Sequence, residues 1–184
     1  MISLNNHLIQ GICQKNKLNV KCFKYFPQGF GDSVETQSLI IECPSVICEN
    51  DLYRESMLTV YSKRTSHIIY QVKHFFLFGW EDHSVISYNT TKLLFKLIKT
   101  TNSLLAKYPK SPVLVHCSAG VGRTGTFLSV YQLYEQFLQA KEKGTIFKFS
   151  VYDTVLRLRY MRQFMVQTVD QYKFIHDFAL DFFK

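Results

Sequence analysis

Two hydrophobic rhythms divide the chain. Up to about residue 88, β-branched and aromatic residues cluster in short runs between turn signals, the pattern of strands. Strands are expected over residues 20–26, 38–43, 53–62 and 67–78, with Pro27-Gln-Gly-Phe-Gly-Asp and Pro44 punctuating them. Beyond that point the apolar spacing lengthens to helical periods. Residues 90–107 bring Leu93, Leu94, Leu97, Ile98, Leu104 and Leu105 to one face, and Pro109 ends the run. Val113-Leu-Val-His116 is a continuous apolar run suited to a strand buried on both sides. A helix is expected over 123–141, with Phe127, Val130, Tyr131, Tyr134 and Phe137 inward and Gly144 beyond its end. Ser150-Val-Tyr-Asp153 and Thr168-Val-Asp-Gln171 are capping-box patterns that open two more helices. In the last of these Tyr172, Ile175, Phe178, Ala179 and Phe182 recur at helical spacing, which predicts core packing rather than an exposed aromatic stripe.

These elements sum to one α/β (α+β) domain over residues 1–184, with a sheet half and a helical half, and the length suits that size. An apolar share of 47% excludes global disorder. No apolar stretch is long enough to span a bilayer, and the start has no basic segment followed by an apolar one, so neither a membrane span nor a secretion signal is expected. Lys and Arg number 22 against 14 acids, a net charge of +8, which favours anionic partners. Cysteines 13, 22, 43, 48 and 117 form no C-x-x-C, and no His pair accompanies them. A metal site and a cofactor are therefore not expected, and reduced thiols in a cytoplasmic compartment fit the composition.

The candidate chemistry lies in His116-Cys-Ser-Ala-Gly-Val-Gly-Arg-Thr-Gly125, between the apolar run and the helix. Cys117 to Arg123 is a C-x5-R spacing. The spacing alone is weak, because Cys48-Glu-Asn-Asp-Leu-Tyr-Arg54 has it too. That second copy holds two acids and no glycine, so it could not wrap an anion, and Cys48 reads as structural. Between Cys117 and Arg123, Ser118, Ala119, Gly120, Val121 and Gly122 are small apart from the valine, so successive backbone N–H groups can turn inward as an anion nest. The helix that follows aims its positive end at the same point. Arg123 offers a planar fork to two phosphate oxygens, and the same fields stabilise a thiolate at Cys117. A nucleophile beneath a bound phosphate predicts a thiol-phosphate intermediate.

The segment from His116 to Phe127 resembles, over its whole length, the signature of the protein tyrosine phosphatases. Lys21-Cys-Phe-Lys-Tyr-Phe-Pro27 resembles that family's K-C-x-x-Y-W-P strand. Trp80-Glu-Asp82 stands where the family has a mobile W-P-D loop, and Val166-Gln-Thr-Val-Asp-Gln171 resembles its Q-loop. The resemblance implies a central mixed twisted sheet flanked by helices, and roles for named residues. Cys117 is implied as nucleophile, Arg123 as phosphate clamp, and Asp82 as acid toward the leaving tyrosyl oxygen and then base toward water. Gln167 is implied to position that water, with Gln171 a second amide nearby. Thr124 is implied to hydrogen-bond the thiolate, His116 to orient the loop, and Trp80 to hinge the closing segment.

Three departures from the family pattern shape the expectations. Glu81 replaces the loop proline, Ser84 a glycine and Ile86 a second proline. A lost proline leaves the open loop more entropy. Glu81 also puts a carboxylate beside Asp82, so slow turnover with the loss in kcat is expected. The family's N-terminal third, with its tyrosine-bearing ring-recognition segment, has no counterpart before Lys21, and Asn16 falls near the position of an acidic partner for the clamp. Phosphotyrosine proteins or peptides are the implied partners of an active phosphatase. The alternative is a catalytically impaired phosphotyrosine-binding or decoy module. RNA 5′ ends are not expected as substrates, because no RNP-type motif or basic aromatic strip occurs.

Overall fold

A computed structural model of the chain describes residues 2–3, 25–49, 52–77, 80 and 88–183. The chain divides into two compact units, Met1–Gly79 and Trp80–Lys184.

The first unit is a mixed sheet. Its strands are β1 (Ile2–Ser3), β2 (Ser33–Glu35), β3 (Leu39–Glu49), β4 (Tyr53–Ser62) and β5 (Ile68–Leu77), in the order β2-β3-β4-β5-β1. Strands β2 to β5 form an antiparallel meander, and β1 adds in parallel with Ile2 opposite Phe75. The longest ladder runs from Tyr53 opposite Leu77 to Tyr61 opposite Ile68. One face gathers Phe26, Cys43, Leu58 and Phe76 into a buried cluster, with Tyr25, Ile41, Val46 and Val72 against it.

Strand β3 runs well past the expected end at residue 43. Pro44 sits inside it, where the register slips between Glu42 and Ser45. A bulge removes the ladder position at which proline would have owed an N–H, so the residue read as punctuation is absorbed. Of the strand expected over 20–26, residues 20–24 lie outside the described residues, and Tyr25 and Phe26 are not in a strand. The second C-x5-R is a cross-strand arrangement. Cys48 accepts from the Tyr53 hydroxyl at 3.3 Å, and Arg54 bonds the Gln28 carbonyl and pairs with Glu49.

The second unit holds α1 (Tyr88–Lys107), β6 (Val115–His116), α2 (Gly122–Glu142), α3 (Val151–Met161) and α4 (Val169–Phe182). Helix α2 packs against each of the other three. Leu94, Leu97 and Ile98 of α1, Phe127, Val130 and Leu133 of α2, and Ile175 and Phe178 of α4 are all buried. Phe178 stacks on Phe182 with centroids 4.6 Å apart, and Phe95 of α1 meets Phe182 at 4.8 Å. The aromatic tail is thus core packing, as its spacing implied.

Strand β6 is shorter than expected. Val113 and Leu114 are exposed, and the strand is confined to Val115 and His116. The run is apolar, but its first half follows the exposed turn at Pro109 and has no cover. At the two expected capping boxes, the Ser150 hydroxyl accepts from Asp153 N–H, whereas Thr168 and Gln171 make the full reciprocal pair. The longer glutamine side chain reaches back to the cap where aspartate is short.

Phe178 is 1% exposed and sits at the meeting point of the aromatic rings. Phe178→Ala is expected to lower unfolding free energy by about 3–5 kcal/mol, read from urea denaturation.

Candidate active site

Helix α2 starts without a side-chain cap. Its N-cap is Val121, whereas α3 and α4 are capped by Ser150 and Thr168. A valine in place of serine there costs about 1 kcal/mol, and it leaves the first-turn N–H groups to whatever anion lies in front of them. The loop from Cys117 to Val121 supplies that position. Gly120 has φ +71, the left-handed backbone that glycine adopts without strain and that curls the loop.

Cys117 sits at the base of this loop, 5% exposed. Burial by itself pushes its thiol up. The Thr124 hydroxyl, the N–H groups of Thr124 and Gly120, and the positive charge of Arg123 outweigh it, so the thiol lies below its ordinary value. Thr124 Oγ1 is buried and has no nitrogen or oxygen partner among the described residues, which leaves its proton for the sulfur. His116 Nδ1 lies 3.1 Å from the Cys117 carbonyl, an acceptor, and this places the ring proton on Nδ1.

Arg123 is 2% exposed, and one of its terminal nitrogens donates to the Trp80 carbonyl at 3.0 Å. Trp80 is itself buried. The guanidinium is therefore oriented from behind by a backbone oxygen. Glu81 and Asp82 lie outside the described residues.

Behind the loop, the turn between α3 and α4 is stitched to the start of α2. Val166 N–H donates to the Val121 carbonyl at 3.1 Å, and the same carbonyl takes the Gly125 N–H at 3.0 Å. Val166 has φ +61, a strained conformation for a β-branched residue that costs about 1–3 kcal/mol. Arg159 holds it there by donating to the carbonyls of Met165 and Val166 at 2.9 and 2.8 Å. Arg162 donates to the Ala119 carbonyl at 3.1 Å, and its guanidinium lies over Gly120. Neither arginine was singled out in the sequence. Their spacing ahead of the 166–171 motif, on the exposed side of a helix, reads as ordinary solvated charge until the turn is seen.

Gln167 and Gln171 come together beside Gly122. A methyl there would stand 2.6 Å from Gln167 Oε1 and 3.0 Å from Gln171 Nε2. Gln171 is buried, and its Oε1 accepts from the N–H groups of Gln167 and Thr168. It therefore braces the turn that presents Gln167. A methyl at Gly125 would stand 2.5 Å from Val166 N. The structure thus brings Cys117, Arg123, Thr124, His116, Trp80, Gln167 and Gln171 into one neighbourhood of the second unit. Among the described residues no group of three His, Cys, Asp or Glu could hold a metal ion.

A buried thiol held below its ordinary value, the N–H groups of Gly120 and Thr124 beside it, a buried guanidinium and a neighbouring amide are a set that could take up and attack a phosphate ester. The comparisons with known proteins agree. The family model for protein-tyrosine phosphatase matches residues 2–181. Human receptor-type tyrosine-protein phosphatase R is 34% identical over 165 residues, which cover 90% of this chain and 23% of that protein. Human receptor-type tyrosine-protein phosphatase eta is 35% identical over 166 residues, 88% of this chain and 11% of that protein. The solved catalytic domain of human protein tyrosine phosphatase non-receptor type 18 superposes with a TM-score of 0.78 at 22% identity, covering 100% of this chain and 60% of that one. The chain belongs to the protein-tyrosine phosphatase family, and its α/β fold is that of the family's catalytic domains. It spans less than a quarter of the receptor-type relatives' length.

Two substitutions separate the stitching from the chemistry. Gly125→Ala drives a methyl into backbone and is expected to cost about 1–3 kcal/mol of stability in urea denaturation. Gly122→Ala meets side chains rather than backbone, those of Gln167 and the buried, hydrogen-bonded Gln171, so it is expected to cost less stability than Gly125→Ala in the same denaturation while displacing Gln167. Iodoacetamide labelling reads the thiol. The rate at Cys117 is expected to rise with pH below the range of an ordinary cysteine, and Thr124→Ala should move that rise to higher pH. Because the folded value is lowered, ionisation of Cys117 stabilises the fold. That contribution is complete above the unfolded thiol's value and is lost as pH falls through the folded one.

Proposed function

We propose that the chain is a slow, cysteine-dependent protein tyrosine phosphatase. The observation that carries this reading is the placement of buried Cys117 and buried Arg123 at the uncapped N-terminus of α2, surroundings that hold the thiol below its ordinary value. In the first step the Cys117 thiolate attacks phosphorus while the bond to the tyrosyl oxygen breaks. Arg123 and the N–H groups of residues 118–123 carry the charge on the equatorial oxygens. Asp82, in its acid form, gives its proton to the leaving phenolic oxygen. In the second step water attacks the thiol-phosphate, oriented by Gln167, and Asp82 takes its proton. Inorganic phosphate leaves, and the thiolate is regenerated with Thr124 donating to it.

Slowness follows from the Trp80-Glu-Asp82 segment. Without the loop proline the closed arrangement is less populated, and the Glu81 carboxylate raises the cost of an anion nearby. Phosphotyrosine-containing proteins are the proposed substrates. A reducing compartment such as cytoplasm is the proposed setting, because Cys43, Cys48 and Cys117 are free thiols and the reaction needs one of them reduced. No helix among the described residues is long and apolar enough to cross a membrane.

The test is hydrolysis of p-nitrophenyl phosphate and of a phosphotyrosine peptide beside Cys117→Ser, which is expected to abolish turnover with the fold intact. Asp82→Asn is expected to lower kcat on the peptide roughly 100- to 10,000-fold with KM little changed. A folded protein that binds the peptide and releases no phosphate would replace this reading with a binding module.

A further inference from the structure

Arg162 closes helix α3 and reaches across to the loop that carries Cys117. As the C-cap it leaves the helix in an extended conformation, φ −149 and ψ 121, with its own N–H still bonded to the Leu158 carbonyl. Its side chain is exposed, yet one terminal nitrogen donates to the Ala119 carbonyl at 3.1 Å. Arg162 Nη2, Cζ and Nε stand 3.5, 3.7 and 3.9 Å from the point where a Cβ on Gly120 would lie, so the guanidinium spreads over that residue.

The Ala119 carbonyl and the Gly120 N–H belong to one peptide group. A trans peptide is planar, and its C=O and N–H point in opposite directions. Here the carbonyl end accepts from Arg162 and the N–H end donates to Cys117. Gly120 does not hold this orientation by itself. At φ +71 it occupies the left-handed region, and a residue without Cβ adopts the opposite sign about as readily. Rotation of the peptide would turn a partly negative carbonyl oxygen toward the sulfur. A guanidinium on the outer end opposes that rotation, and it polarises the peptide so that the N–H becomes a stronger donor.

We propose that Arg162 is a positioning residue of the Cys117 site, which aims the Gly120 N–H at the sulfur by holding the carbonyl at the other end of the same peptide. Its consequence for turnover rests on the phosphatase reading; the orientation of the peptide does not. Other groups also bear on the sulfur. Arg123 of α2 acts on it directly, His116 of β6 lies against the Cys117 carbonyl, and Arg159 of α3 is engaged with the carbonyls of Met165 and Val166. These groups, with Glu81 and Asp82, stay the same when only residue 162 is altered, so a difference between parent and variant reports on Arg162.

The test is the pH profile of iodoacetamide alkylation at Cys117, read by mass spectrometry of its peptide in the full chain, in Arg162→Met and in Arg162→Lys. In Arg162→Met the rate is expected to fall on the order of threefold along the rising part of the profile and to meet the parent's at high pH, where both thiols are ionised. Arg162→Lys keeps the charge and a donor without the planar fork, and its profile is expected between the two. Unchanged circular dichroism is expected in both variants, because the side chain is exposed. A parent-like profile in Arg162→Met would overturn the proposal. So would a loss by the same factor at every pH, which marks altered access rather than altered ionisation. A difference that vanishes in about 0.5 M salt would overturn it too, since it would come from the screened field of an exposed charge. Alkylation consumes no phosphate ester, so a chain that alkylates as expected and hydrolyses none keeps this role while the phosphatase reading fails.

Discussion

A thiol buried to 5% exposure, yet held below its ordinary ionisation range, is the constraint around which the second unit is organised. Burial alone would protonate Cys117, and a protonated thiol is a poor nucleophile. Every nearby peculiarity supplies positive potential or a donor to reverse that outcome. The helix cap is a valine with nothing to offer its N–H groups, Thr124 keeps a proton without another acceptor, and Arg123 is buried and held from behind by the Trp80 carbonyl. Each would be a defect in a helix whose only task was to fold. Together they make surroundings that favour a negative charge on the sulfur.

The same constraint explains why two glycines open α2, where glycine is a poor helix former. Gly122 lets the amides of Gln167 and Gln171 approach the loop, and Gly125 lets the backbone of Met165 and Val166 lie against the helix. The strained Val166 is tolerated because Arg159 and the Val121 carbonyl hold it from two sides. Strain in the turn is therefore offset by hydrogen bonds to the element that the turn serves.

Much of this was legible in the sequence, and the exceptions have physical causes. Strand β4 follows from its β-branched and aromatic run between turn signals, and the aromatic face of α4 from its helical spacing. The residues from His116 to Thr124 were legible because anion binding at a helix N-terminus demands small residues at fixed offsets. Pro44 inside β3 was not, since a bulge is a property of two strands and leaves no mark on one. The exposure of Val113 and Leu114 was hidden for a related reason: an apolar run signals burial only if something arrives to cover it. Arg159 and Arg162 escaped notice because their partners are carbonyl oxygens, which every residue has and no motif records.

The Val121 carbonyl accepts two N–H groups, one from inside its own helix and one from the turn after α3. Displacing that carbonyl breaks both bonds at once, so the helix start cannot unwind there without also releasing the turn. Amide exchange at Gly125 and at Val166 would then be governed by one common opening event, slower than fraying of an ordinary helix end. The helix start beside Cys117 and the stretch of chain that carries Gln167 form a single cooperative unit, although some forty residues of sequence lie between them.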